Sequence, residues 1–284
     1  MMGMTEGAPG YAPGRTLPLR VEFVRQLRRR RTYVMFGVLL ALPWVLLLAF
    51  QLGAGPRSRS GLRLSDLATE GGLNFATFSL SVSSNFLLVV AVALFCGDTV
   101  ASEANWSSLR YLLAAPVPRD RLLRQKLVVA LAYSAAAVTA LPLMALIAGT
   151  LAFGWHDIRV PGTGEVVPAG EALPSFGLAV AYVLVSQLVV ASLAFLLSVG
   201  TDSPLGAVGG AVGLVIVSMI LQAVDALGPI RQFLPTFWST AWLDVLAPRP
   251  EYDSMVKGTV ISLSYSVILI ALAFRVFRRK DVLS

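Results

Sequence analysis

Charge in this chain is confined to short segments separated by long apolar stretches. Residues 71–97, 127–155, 172–201 and 203–224 are runs of 27, 29, 30 and 22 residues without Asp, Glu, Lys or Arg. Each exceeds the roughly 20 residues an α-helix needs to cross a bilayer. Two further uncharged runs lie at 32–56 and 258–274. The pattern predicts six spans, at about 33–52, 76–96, 127–153, 176–199, 205–224 and 258–274. The fold class expected is an all-α integral membrane protein with six transmembrane helices over 32–276 and both termini on one side.

Three segments outside the spans have periodicity of their own. In 17–31, Leu17, Val21, Val24 and Leu27 recur at helical spacing while Glu22, Arg25, Gln26 and Arg29 fall on the other side. This predicts a basic amphipathic interfacial (elbow) helix lying in the headgroup region. The plainer alternative is a stop signal made of Arg28 to Arg31. In 225–257, Ile230, Phe233, Leu234, Phe237, Trp238 and Trp242 are interrupted by Gly228-Pro229 and Pro235. Two amphipathic pieces too short to span are expected, either an aromatic belt or a re-entrant helical pair that roofs a cavity. In 98–126, Leu109, Leu112 and Leu113 share one helical face, Ser107 or Ser108 can cap it, and Pro116 and Pro118 end it. A short cytoplasmic helix between spans two and three follows, with Glu103, Trp106, Ser107 and Arg110 toward the polar side and Arg119 leading into span three. Fixed between two long helices, it can transmit force from a docked protein; a lipid-facing connector is the alternative.

Composition agrees with the pattern. Of 284 residues 56% are apolar and 14% charged, against about 25% charged in soluble domains. The mean hydropathy is +0.73. The surplus of seven positive charges could suggest nucleic acid until it is mapped. Sixteen of the 23 Lys and Arg lie in the N-terminal segment, the loop after span two and the C-terminal tail. The positive-inside rule then puts both termini in the cytoplasm of a multi-pass plasma-membrane protein, and no nucleic-acid partner is needed. Residues 1–16, rich in Gly, Pro and Ala, read as a disordered tail, and 277–284 as a basic cytoplasmic tail. The first apolar run is too long and too far from the start for a secretory signal.

The remaining chemistry is sparse. One Cys, Cys96, permits no intrachain disulfide, and one His, His156, makes no metal cluster. No span has an acid or base near its centre, which argues against an ion-coupled carrier. Asn85 and Gln187 sit within apolar spans, as helix-packing hydrogen bonders or as the lining of a pathway. Gly206-x-x-x-Gly210 and Gly209-x-x-x-Gly213 let helix backbones approach within one subunit or across a dimer. Lys126, Lys257 and Lys280 are the only lysines, and none closes a phosphate loop. ATP chemistry would therefore need another chain.

The segment Glu103, Ser107, Leu112, Leu113, Pro116, Val117, Arg119, Leu122, Leu123, Lys126, set between spans two and three, resembles the type-2 permease subunits of ATP-binding-cassette (ABC) exporters. Trp106 and Pro118 depart from the family pattern. The resemblance implies a non-enzymatic transport subunit paired with a second permease subunit, identical or not, and contacting membrane lipids. It also implies two cytoplasmic ABC ATPases that bind ATP and Mg, with 98–126 as the coupling element and the insertion between spans five and six, with Phe233, Phe237 and Trp238, as the outer gate. An uncharged pathway suits a hydrophobic or amphipathic cargo. Two other classes compete. A membrane anchor recruiting a cytoplasmic protein needs no pathway, and a lipid-modifying enzyme needs a cluster of reactive side chains at a membrane face.

Overall fold

A computed structural model describes residues 19–53, 63–105 and 119–279 of the chain. The elements are α1 (Leu19–Leu27), α2 (Arg30–Leu52), α3 (Leu64–Leu67), α4 (Gly72–Ser84), α5 (Leu87–Asn105) and α6 (Arg119–Phe153). There follow the short strands β1 (Ile158–Arg159) and β2 (Val166–Val167), α7 (Ala169–Gly200), α8 (Pro204–Gln222), two 3-10 segments (Asp225–Phe233 and Ala241–Leu246) and α9 (Asp253–Arg279). Five of these helices, α2 and α6 to α9, are long and apolar enough to cross a membrane, and α4 with α5 qualify together as a pair bent by 55°. The fold is that of an all-α, multi-pass membrane protein.

Several described helices run past the uncharged stretches into charged residues. α6 begins at Arg119, carrying Arg121, Arg124 and Lys126 in its first turns, and α9 extends from Asp253 through Arg279. Helix propagation costs little once a turn exists, so charged residues continue the rods beyond the apolar layer. Prolines do not stop them: Pro43 lies inside α2 and Pro142 inside α6. Pro204 opens α8, where the Ser203 hydroxyl accepts from Gly206 N at 3.1 Å, an N-cap that satisfies one otherwise unpaired donor.

Packing places α6 and α7 at the centre. Half of the apolar window of each is buried, against 17% for α2 and 22% for α8 and α9. Against this centre lie α4 and α5, almost wholly enclosed. Small residues set the closest approaches. A Cβ on Gly149 of α6 would stand 2.8 Å from Phe75 Cβ of α4, and one on Gly97 of α5 would stand 3.0 Å from Val208 Cγ2 of α8. The two glycine pairs of α8 divide. Gly210 faces Leu197 of α7, Gly209 and Gly213 face open space, and the buried seam is formed by Ala207, Ala211, Val215 and Ser218.

One end of the bundle is tied by the hairpin β1–β2, in which Ile158 pairs with Val167. Asn74 near the start of α4 donates to Arg159 O at 2.8 Å and accepts from Arg159 N at 3.1 Å. Gly72 N donates to Gly154 O at 2.9 Å, with Gly154 at φ +80°, a conformation open to glycine. Asp157 Oδ1 accepts from Ala169 N at 2.9 Å and so caps α7 from twelve residues away. At the other end, Arg278 of α9 meets Asp120 of α6 at 3.4 Å.

Two expectations change. Span two, expected unbroken over 76–96, is two rods meeting at Asn85-Phe86. The insertion between α8 and α9, expected as two short amphipathic pieces, takes the 3-10 and not the α conformation in both. Its first part is a 3-10 segment interrupted at Gly228 (φ +52°, ψ −135°), and its second is a 3-10 turn pressed onto α7 and α9. Four residues of that turn, Ala241, Trp242, Val245 and Leu246, are buried. Within 17–31, where an interfacial helix is expected, a helix α1 covers Leu19–Leu27, and Arg30 and Arg31 already belong to α2. The tail 1–16 and the helix expected between 106 and 118 lie outside the described residues.

Candidate functional site

The polar face of α1 is turned inward. Glu22 and Gln26 are buried, while Leu19, Val21, Phe23 and Leu27 are exposed. This corrects the expectation that the charged face would look to headgroups or solvent. A helix whose apolar face points away from the protein needs lipid on that side, and its polar face then needs partners within the protein.

Those partners come from the inner turns of α5 and α6. Lys126 of α6 is 2% exposed. Its Nζ lies 2.6 Å from Glu103 Oε1 of α5 and 3.3 Å from Glu22 Oε1 of α1. Glu103 is 1% exposed and also takes Arg25 of α1, at 2.7 Å. One turn and a half earlier on α5, Asp98 accepts from both Arg29 and Arg31, and Arg29 reaches Ser102 Oγ at 3.2 Å. Three carboxylates and four cations thus join α1, the start of α2, the end of α5 and the start of α6. The chain α1-turn-α2 is itself braced, with Thr32 Oγ1 donating to Gln26 O at 2.8 Å. Tyr133 of α6 donates to Phe23 O at 2.7 Å and stacks on the Phe23 ring at 4.7 Å. Buried charges are tolerated only when paired and hydrogen-bonded, and here each acid has at least one cation within reach.

The cluster explains where the expected coupling residues stand. Glu103 is not at a surface; it is the centre of the cluster. Arg119 starts α6, and its side chain, like Trp106, Ser107 and Arg110, lies outside the described residues. Sequence reasoning named Glu22, Arg25 and Arg29 as one helix face, but not their pairing with Asp98, Glu103 and Lys126. A signal was available: Asp98 and Glu103 close an uncharged run, Lys126 precedes another, and Glu22 is the single acid in a basic segment.

Asn85 and Gln187 are brought together at the bend of span two. Gln187 of α7 is buried, and its Nε2 donates to Ser84 O at 2.8 Å, beside the half-buried Asn85. At the hairpin end, Tyr182 donates to Trp238 O at 2.7 Å, Trp238 Nε1 to Gln232 O at 3.0 Å, and Tyr265 to Phe233 O at 2.9 Å. Phe237 meets Trp238 edge-on at 4.9 Å. Phe233 itself is 67% exposed. Two apolar grooves open on the bundle. One of about 310 Å³ lies between α6 and α7 around Pro142 and Phe176. The other, of about 260 Å³, lies between α7, α8 and the insertion, around Leu193, Leu214 and Pro235. Among the described residues no three His, Cys, Asp or Glu converge to hold a metal.

Helical bundle, apolar grooves and a charged clasp at one end define a polytopic membrane protein built around a paired-charge cluster. Residues 62–283, well over half of the chain, match the family DUF2705, described as a protein of unknown function, and the chain belongs to that family. No curated protein matches it.

Proposed function

We propose that the chain is the permease subunit of an ATP-driven ABC exporter, with six spans when α4 and α5 count as one, both termini in the cytoplasm and the plasma membrane as its location. One observation carries the reading: α5 ends and α6 begins at the paired-charge cluster. The segment 106–118 therefore leaves and returns at the point where α1, span two and span three are locked together. A partner ATPase that moves this segment shifts all three elements, because a buried ionic clasp transmits displacement instead of absorbing it. Glu103 and Lys126 act inside that clasp, and Trp106, Ser107, Arg110 and Arg119 meet the partner. The apolar grooves support a hydrophobic or amphipathic substrate. Phe233, Phe237 and Trp238 then form the outer closure. The outward Gly209 and Gly213 offer a close-approach face to a second permease subunit.

The test is reconstitution of the chain with whichever nucleotide-binding ATPase copurifies with it from its native membrane. Trp106→Ala and Arg110→Ala are expected to lose transport and substrate-stimulated ATP hydrolysis while basal hydrolysis persists. Absence of any copurifying ATPase, or full coupling in both variants, overturns the proposal.

A further inference from the structure

Span two is bent by 55° with neither proline nor glycine at the bend, where the sequence reads Ser83-Ser84-Asn85-Phe86-Leu87. Sharp kinks of that kind arise where a side chain inserts into the backbone ladder. Here Ser84 Oγ turns back to Ser81 O at 3.1 Å, and the Ser84 carbonyl accepts from Gln187 Nε2 of α7. The two rods on either side are held separately. α4 is tied to the hairpin through Asn74, and α5 to α1, α2 and α6 through Asp98 and Glu103. The joint therefore lies between two independently anchored pieces.

Gln187 is 7% exposed, and only half of its carboxamide is satisfied. The Ser84 carbonyl fixes the NH2 group on one side, so Oε1 faces the other, where it has no donor among the described residues. Gln187 lines a cavity of about 20 Å³ between α5, α6 and α7, together with Ser134, Val92, Leu131, Val138 and Ala191. A single water needs roughly 10–15 Å³ and two to four polar partners. Ser134 gives its hydroxyl hydrogen to Ala130 O at 2.9 Å, leaving its oxygen as an acceptor toward the cavity. Cys96 Sγ lies 3.5 Å from that oxygen. No charged side chain lines the space, which disfavours an ion.

We propose that this cavity, next to the joint of span two, is the site of one internal water, donating one hydrogen to Gln187 Oε1 and the other to Ser134 Oγ. The inference rests on the bend and the cavity and is independent of the transport reading.

Cys96 is the single cysteine of the chain, so its S–H stretch in the infrared reports on this place alone. In the full-length protein in lipid nanodiscs transferred to D2O, the S–H band is expected to convert to S–D well before the slowest backbone amides exchange. In Gln187→Met, which removes the polar group, and in Ala191→Val, which fills the cavity and leaves Gln187 in place, conversion is expected to slow by about tenfold or more, since exchange must then await a larger opening. If Gln187→Met does not fold, Ala191→Val decides. An S–H band in the native protein that persists as long as the slowest amides overturns the proposal, as does unchanged conversion in a folded variant.

Discussion

Replacing Lys126 by methionine tests whether the charge cluster holds the bundle together. The substitution keeps the length and packing of the side chain and deletes its charge. Glu103, 1% exposed, then retains Arg25 at 2.7 Å, while Glu22 retains Arg25 at a longer 3.6 Å. Arg25 is 41% exposed at its side chain, so it compensates two carboxylates through a partly screened contact. Removing one partner of a buried pair costs about 3–5 kcal/mol, because the surviving charge is left unpaired. The residual Arg25 places the expected loss near the lower end, about 3 kcal/mol. Glu103→Gln leaves Lys126 with Glu22 at 3.3 Å and should cost less, about 1–2 kcal/mol. The double variant carries no uncompensated charge at this point and should cost less than the sum of the two, with a coupling of about 2 kcal/mol. Unfolding of the purified chain by SDS titration from mixed micelles measures all four corners of the cycle. A loss below about 1 kcal/mol for Lys126→Met, or strict additivity in the double variant, refutes the view that these charges are a buried clasp.

Other perturbations probe the rest of the bundle. Gly97→Leu forces α5 from α8 at Val208 and should cost about 1–3 kcal/mol, with Val208→Ala restoring part of it in the same titration. Asp157→Ala removes the distant cap on α7 and should cost about 1 kcal/mol; an unchanged midpoint would show that solvent replaces the carboxylate. Tyr182→Phe deletes the bond to Trp238 O and should loosen the insertion by about 1 kcal/mol, read as faster limited proteolysis between 225 and 246, whereas an unaltered cleavage rate would place the hold on the insertion elsewhere, in the buried Trp242.

Much of the fold is legible in the chain because membrane insertion imposes a crude and strong rule. A backbone in hydrocarbon must satisfy its own hydrogen bonds, so 22 or more residues without charge can do little but form a helix. Ser203-Pro204 marks the start of α8 by local chemistry alone, through a hydroxyl cap and a ring that has no N–H to pair. The joint in span two was less legible. Asn85 and Gln187 stood out as polar residues in apolar runs, but the bend depends on a hydrogen bond between residues 84 and 187, and such a partnership leaves no periodic trace. The insertion had the composition of an interfacial helical pair, yet the burial of Trp242 against α7 and α9 and the break at Gly228 made it two short 3-10 segments.

The charged segments divide in the same way. Sequence alone determined that α1 is amphipathic and that Asp98, Glu103 and Lys126 sit at the ends of spans, since charge and spacing are properties of the chain. Which face of α1 turns inward was decided only by the tertiary structure. In water the apolar face would have been buried; beside lipid it can stay outside, and the carboxylates and cations of three separate segments then pair with one another.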